Sequence, residues 1–375
     1  MKILLVGNIN SIWVRLYIEK VLLKISQVKI YVLTFENYNI DNKYTEQFGN
    51  NIKIFENKQN KWIKAIKSIL WCKKNTKDDK FDFIHIHYMP NIAVTLICRI
   101  LCHAYANEVI LTYYGSDLFD KSILKKYVHK ILLKKAKFIT MATNNMINTF
   151  YDIYRGEFKS KIRKISFGFE TIDEIEKIIK DKNSVKFCKE QYGINPYKKS
   201  IAIGYNGRET QKHIAVIEEI AKLDKKFKND ICVVIHLGYN LSSDDYRKQI
   251  IKKLNEIHVE YVIIDNFLDK TRVAQLRVAT DILIHAQPSD AFSASIQEVI
   301  YAGGILINPA WIVYDELDEE NVKYYKYNKI DEIHNILKIC QINDEEKIKN
   351  RNVIRKLSSI EVNSKIWSSL YGGTN

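Results

Sequence analysis

Asp290 and Glu298 stand eight residues apart in the stretch PSDAFSASIQEVIYAGGILINP, Pro288 to Pro309, whose pattern reads loop, helix, turn and strand. Ile296, Val299 and Ile300 recur at helical spacing, Gly303-Gly304 stops the helix, and Ile305-Leu306-Ile307 resumes as a buried strand. The start of such a helix offers backbone N–H groups and a positive dipole end, and Ser293, Ala294 and Ser295 occupy that start with two hydroxyls among them. A phosphate suits it. The two carboxylates, pure acceptors when ionised, suit sugar or ribose hydroxyls beside that phosphate.

A second constellation lies upstream. The apolar run Ser200 to Gly204 leads into Tyr205-Asn206-Gly207-Arg208, then Lys212, then a helix from Ile214 to Leu223. Arg208 can hold a diphosphate bidentately and Lys212 adds a point charge, with Gly204, Asn206 and Gly207 forming the turn. Cations at a helix start oppose its dipole, so a bound anion explains them better than solvent does. In the first half of the chain, His85 and His87 share one strand face, and Tyr113-Tyr114-Gly115-Ser116-Asp117 follows a strand. A metal at the two histidines would need a third ligand from elsewhere. Tyr114 can hydrogen-bond a hydroxyl, and Asp117 either does the same or caps the helix that follows.

The elements that must position these groups alternate. Strands are expected at Lys2 to Val6, Lys29 to Thr34, Ile52 to Phe55, Phe83 to His87, Glu108 to Thr112 and Lys137 to Met141, with helices between them. The order restarts at Ser200 and continues through Ile231 to Leu237, Tyr261 to Ile264 and Asp281 to His285. This is doubly wound α/β patterning in two copies. The first loop, Gly7-Asn8-Ile9-Asn10-Ser11, lacks G-x-G-x-x-G, which argues against a dinucleotide there.

A chain of 375 residues exceeds the usual single core, and 46% hydrophobic residues with four prolines describe a packed globular protein. The six cysteines are scattered through apolar segments without C-x-x-C spacing, as buried thiols of a reducing cytoplasm would be. Met1-Lys2 leads straight into a strand, so no secretory signal is expected, and no apolar run reaches membrane-spanning length. Charge is asymmetric. From Met1 to Gly168, 28 Lys and Arg stand against 13 Asp and Glu, a net of +15; from Phe169 to Asn375 the count is 30 against 31. The segments Lys58 to Lys80, around Trp62, Ile66, Ile69 and Leu70, and Lys121 to Phe138, with Ile123, Leu124, Tyr127, Val128, Ile131 and Leu132, concentrate it. Each pattern fits a core-packed helix or a basic amphipathic helix on an anionic membrane; no nucleic-acid-binding motif accompanies the charge.

The run from Asp290 to Gly304, with E-V-I-Y-A-G-G at its end, resembles the carboxylate pair and following helix of GT-B glycosyltransferases of the family 4 type, with Asp290 and Ser293 where those enzymes usually carry Glu and Gly. Arg208 to Lys212 resembles their G-R-x-x-x-K-G phosphate stretch, with His213 in place of the last Gly, and also a loop of bacterial 4-acetamido-4,6-dideoxygalactose transferases, which use a thymidine diphosphate donor. Tyr113 to Asp117 resembles the H-G-x-D loop with Tyr114 at the histidine, and Lys164 to Glu170 resembles the end of the first domain. The resemblance implies two Rossmann-like domains facing across a cleft: 1–183 on the acceptor side, 184–353 binding the nucleotide sugar, and 354–375 crossing back as a helix. It implies a retaining, metal-independent and cofactor-free hexosyltransferase using a UDP-, GDP- or dTDP-sugar. Asp290, Glu298, Arg208 and Lys212 would serve catalysis. Gly204, Asn206, Gly207, Phe267, Ser293, Ala294 and Ser295 would bind the donor, and Gly7, Asn8, Ser11, His87, Tyr114 and Asp117 would line the acceptor side. With the basic first half, it implies a polyprenyl-diphosphate-linked glycan acceptor at the inner face of the plasma membrane, in surface polysaccharide or O-antigen assembly, and no nucleic acid. A nucleotide-sugar epimerase and a catalytically silent sugar-nucleotide binder or scaffold are the alternatives.

Overall fold

The computed structural model describes residues 1–36, 51–55, 61–118, 122–290 and 292–372. Lys58 and Lys121, two of the basic residues singled out above, lie outside these ranges, as does the side chain of Trp62. The chain forms two compact units, Met1–Phe167 together with the stretch from Asn363, and Gly168–Val362.

In the first unit the strands are β1 (Lys2–Val6), β2 (Lys29–Leu33), β3 (Ile52–Ile54), β4 (Phe81–His87), β5 (Ala106–Thr112), β6 (Phe138–Met141) and β7 (Ile162–Lys164). All pair in parallel in the order β3-β2-β1-β4-β5-β6-β7. Parallel strands need crossovers, and helices supply them: α1 (Ile12–Lys20), α2 (Lys61–Asn75), α3 (Ile92–Tyr105), α4 (Ile123–Lys135) and α5 (Asn144–Tyr154). Central strands are buried on both faces, which is why β1 reads Ile-Leu-Leu-Val without alternation. One core layer, with Leu4, Ile84, Leu101 and Leu132, lies under α2 to α5, and the other, with Ile3, Leu5, Val14 and Ile18, lies under α1.

The second unit repeats the plan with β8 (Lys199–Ile203), β9 (Ile231–His236), β10 (Glu260–Ile264), β11 (Ile282–Ile284), β12 (Ile305–Pro309) and β13 (Tyr325–Tyr327), parallel in the order β10-β9-β8-β11-β12-β13. The helices that matter below are α6 (Glu170–Ile178), α7 (His213–Ala221), α8 (Lys270–Val278), α9 (Ala294–Ala302), α10 (Asp344–Ser358) and α11 (Ile360–Ser369).

The sequence boundary at 183/184 needs correction, because the chain enters the second unit at Gly168 and α6 packs there through Ile172 and Ile175. Likewise α10 belongs wholly to that unit, and the C-terminal stretch joins the first unit from Asn363. A Cβ on Gly168 would lie 2.2 Å from Ile360 Cα, so the two chain segments cross at a position where only glycine fits. Two strands escaped the pattern reading: β7 and β13 have three residues each, sit at sheet edges and lack a continuous buried run.

Candidate functional sites at the two switch points

In a parallel sheet wound both ways from its middle, the loops diverge where the strand order reverses, and the crevice outside those strand ends is the natural binding place. The reversal falls between β8 and β11 in the second unit and between β1 and β4 in the first. The loops leaving these four strands contain Gly204 to Lys212, Gln287 to Ser293, Gly7 to Ser11, and Tyr88 to Asn91. Topology thus gathers most residues nominated from the sequence.

At the second unit's switch point, Gly204 adopts φ +63 with the fully buried Gln211 directly beneath it; a Cβ there would lie 2.5 Å from Gln211 Oε1. Both polar atoms of that amide are buried without a partner, as are His236 Nδ1 and His285 Nε2. Such groups are rare in native interiors and concentrate where a polar ligand completes the network. Gly207 is pinned by packing, since a Cβ would meet Leu241 Cα at 2.7 Å. Asn206 Oδ1 accepts from the Arg208 backbone N–H at 3.0 Å, which fixes the loop and leaves the Arg208 side chain exposed. Lys212, at φ +54, caps the start of α7, and its ammonium lies 5.8 Å from the centre of the Trp311 ring.

The central stretch is organised by its first carboxylate. Asp290 accepts from the Tyr205 hydroxyl, the Tyr314 hydroxyl and the Ser293 backbone N–H, each at 2.8 Å. Three of about four lone-pair sites are thereby occupied, and one is left for a ligand hydroxyl. Ser293 precedes α9 with φ −59, so a serine at this place, where the enzymes it resembles carry glycine, costs no backbone strain; the left-handed residue is its neighbour Phe292, φ +66. Glu298 sits one turn into α9. It is buried against Arg277, whose Nε donates to Oε2 at 2.9 Å while its NH2 group donates to Ser295 Oγ at 2.7 Å. Arg277, Tyr205 and Tyr314 were missed; only Arg277 left a trace, as a lone charge among Ala274, Leu276, Val278 and Ala279. Beyond β9 and β10 the exposed rings of Tyr239 and Phe267 stand 6.5 Å apart, centre to centre. Their loops touch so closely that a Cβ on Gly238 would lie 1.9 Å from Asn266 O.

The first unit's switch point holds a cavity of about 510 Å³, lined by Gly7, Asn8, Ser11, His87 and Tyr114 and walled by Trp13, Phe35 and Tyr88. His87 is buried, its Nδ1 is 2.8 Å from the Tyr114 hydroxyl, and its Nε2 has no partner. Burial pushes the imidazole down to about 3, so it is neutral at physiological pH, with one ring nitrogen left for a ligand. Asp117 does not line the cavity. Its carboxylate accepts from the backbone N–H groups of Met89, Tyr114 and Gly115 at 2.7, 2.9 and 3.0 Å, tying the two loops together, and Ser122 rather than Asp117 caps α4. Both nitrogens of His85 are engaged, with the Tyr371 hydroxyl at 2.5 Å and Thr112 Oγ1 at 2.6 Å. Among the described residues no group of three or more His, Cys, Asp or Glu is placed to hold a metal ion.

Residues 2–144 match the family model described as "Glycosyl transferase 4-like". No curated protein matches the chain in sequence. Among solved structures, a glycosyltransferase from Rickettsia africae superposes with TM-score 0.76 at 17% identity, over 99% of this chain and 97% of its own. HepE of Anabaena in complex with UDP and glucose gives 0.67 at 14% over all of both chains. A trehalose-6-phosphate synthase, described in terms of glycosyltransfer with retention, gives 0.67 at 11%, again over both chains entire. Two parallel Rossmann-like sheets, each opening at its switch point, are the GT-B fold of glycosyltransferases, and within it the first unit carries the glycosyl transferase 4-like sequence signature.

Proposed function

We propose that this protein is a retaining glycosyltransferase that moves a hexose from a nucleoside diphosphate donor, held at the β8/β11 crevice, to a lipid-linked glycan acceptor received by the first unit's cavity, in the building of a surface polysaccharide. The observation that carries the reading is the cation-edged β8/β11 crevice, with unpartnered polar atoms buried beneath it. In the transfer, the bond from the sugar's anomeric carbon to the diphosphate breaks, a bond to an acceptor hydroxyl forms, and the hydroxyl proton leaves with the diphosphate. Charge grows on that leaving group. Arg208, Lys212 and the N–H groups at the start of α9 are the positive groups at hand, and fixed donors aimed at developing charge are the largest common catalytic term. The remaining lone pair of Asp290 orients a sugar hydroxyl, and the Tyr239–Phe267 rings offer the base a flat support. In the first unit the aromatic walls and neutral His87 suit an uncharged sugar ring. HepE, whose structures hold UDP and UDP-glucose, supports a uridine nucleotide as the first to try.

The test is a thermal-shift series with UDP, GDP and dTDP, followed by transfer assays with the nucleotide that binds. A ligand at about a hundred times its Kd stabilises the fold by roughly 2.7 kcal/mol, enough to read. The reading requires a shift with one diphosphate that Arg208→Ala removes, and a product whose anomeric configuration, read by NMR, equals the donor's. One observation favours a second reading. Glu298 is buried and held by Arg277 through Oε2, which suits it to fixing the site's shape more than to chemistry, and a binder without turnover needs no carboxylate free for chemistry. Binding of a sugar nucleotide with no transfer to any polyprenyl-linked acceptor would select it.

A further inference from the structure

The outer face of the α2, α3 and α4 layer carries apolar side chains in addition to those that pack on the core. Helix α2 buries Lys64, Ser68 and Cys72, with the Lys64 ammonium donating to Phe35 O at 2.8 Å, while Ile63, Ile66 and Leu70 lie on the outside and Ile66 is 62% exposed. Ile69 and Trp71 of the same helix pack on the core, so α2 presents apolar residues both inward and outward. Its neighbour α3 buries Thr95, Cys98, Leu101 and Cys102 and exposes Leu96 and Ile100. Helix α4 buries His129, Leu132 and Leu133 and leaves Ile123 83% and Tyr127 73% exposed, with Leu124 exposed between them. The three helices pack side by side over one core layer, so these apolar side chains share one face of the unit. Scattered surface hydrophobes need no explanation, but a shared face of them does.

The charge on the same helices says what would cover it. Apart from the buried Lys64, helix α2 carries four lysines, α3 one arginine and α4 five lysines, and the three contain no Asp or Glu. Soluble surfaces mix both signs. We propose that this face docks on an anionic lipid bilayer, the apolar side chains entering the acyl boundary and the cations lying at the headgroups, as interfacial helices do. No described helix is long and apolar enough to cross a membrane, so the contact is a surface one. The cavity of the first unit is lined by Asn91 and Val94 from the start of α3 and by Lys125 of α4, at the N-terminal ends of the docking helices. The docked layer thus brings the cavity to the lipid surface, and in this respect the inference rests on the proposed lipid-linked acceptor and deepens it.

The experiment is co-sedimentation of the full chain with phosphatidylcholine vesicles, with and without phosphatidylglycerol, for the wild type and for Ile66→Ser/Leu70→Ser/Ile123→Ser/Leu124→Ser. These side chains are exposed, so the variant is expected to melt as the wild type does. Binding to the anionic vesicles only, released by salt and weakened at least about tenfold in the variant, is the expected result. Absence of wild-type binding, equal binding to neutral vesicles, or unchanged binding by the variant overturns the proposal, as does a wild-type dimer that the serines convert to monomers without any vesicle binding. Donor-induced thermal shifts on the same samples keep the two readings apart. If they fail while vesicle binding persists, the transferase reading falls and the docking surface stands.

Discussion

The β1/β4 crevice has aromatic walls and a neutral imidazole, whereas the β8/β11 crevice is edged by Arg208 and Lys212 and closed by glycines that admit no side chain. Both arise at the same topological feature of the same winding. The difference shows how little the fold itself decides. Strand order fixes where a ligand sits, and a few loop residues fix whether it is an apolar-faced ring or a diphosphate. The buried polar groups differ in the same way. The first unit uses an uncharged chain, Tyr17 to Tyr371 to His85 to Thr112 to Thr140, with links of 2.9, 2.5, 2.6 and 2.6 Å. The second relies on the Arg277–Glu298 ion pair.

The sharpest test of this contrast breaks one link in each unit. Arg277→Met strands a buried carboxylate and is expected to cost about 3–5 kcal/mol, and Arg277→Met/Glu298→Gln should recover much of it. Tyr371→Phe, which leaves two buried uncharged partners unsatisfied, should cost less, about 1–3 kcal/mol. Urea denaturation measures both, and equal losses would erase the distinction. Next come the glycines. Gly238→Ala drives a methyl group against Asn266 backbone and should cost about 3 kcal/mol, whereas Gly7→Ala meets side-chain atoms, His87 Cβ at 3.2 Å and Val14 Cγ2 at 3.4 Å, and should cost under about 1 kcal/mol. Then the ligand: Arg208→Ala is expected to weaken the donor diphosphate by about 1.5–3 kcal/mol, read by calorimetry, while the melting temperature of the free protein holds because the side chain is exposed. Transfer should persist in EDTA if Arg208 and Lys212 supply the leaving-group charge; loss of turnover on chelation would require a metal the proposal omits.

The smallest effect is common to both units. Burial pushes His87 down to about 3 and His213 and His236 to about 4, from the usual 6.5. The unfolded chain therefore binds more protons than the folded one between those values, and stability falls as pH drops below 6.5. Each such histidine should cost about 1 kcal/mol by pH 6, and melting curves from pH 7.5 to pH 5 measure the sum. His87→Gln should flatten that slope in part, and an unchanged slope would place the acid sensitivity elsewhere.

The sequence alone determined the repeated α/β order, the loops that the topology gathers at the candidate site and the polarity of charge. Alternating apolar runs and helical stripes are local signals, and Gly303-Gly304, Arg208 and Asp290 announce themselves by residue type. The edge strands β7 and β13 were not legible, because Ile162-Arg163-Lys164 and Tyr325-Lys326-Tyr327 lack the aliphatic alternation that marks the equally short edge strand β3. Nor were the partners. That Asp290 is held by Tyr205 and Tyr314, that Asp117 serves backbone N–H groups, and that Glu298 is claimed by Arg277 depends on side chains brought together from 21 to 85 residues away, or on loops joined across neighbouring strands. The division of the apolar residues of α2, Ile69 and Trp71 inward and Ile66 and Leu70 outward, belongs with these. The helix's apolar and basic residues are plain in the chain, but which stripe meets the sheet is set by how the helix rests on its neighbours, and only the packed structure shows that Lys64, Ser68 and Cys72 went inside.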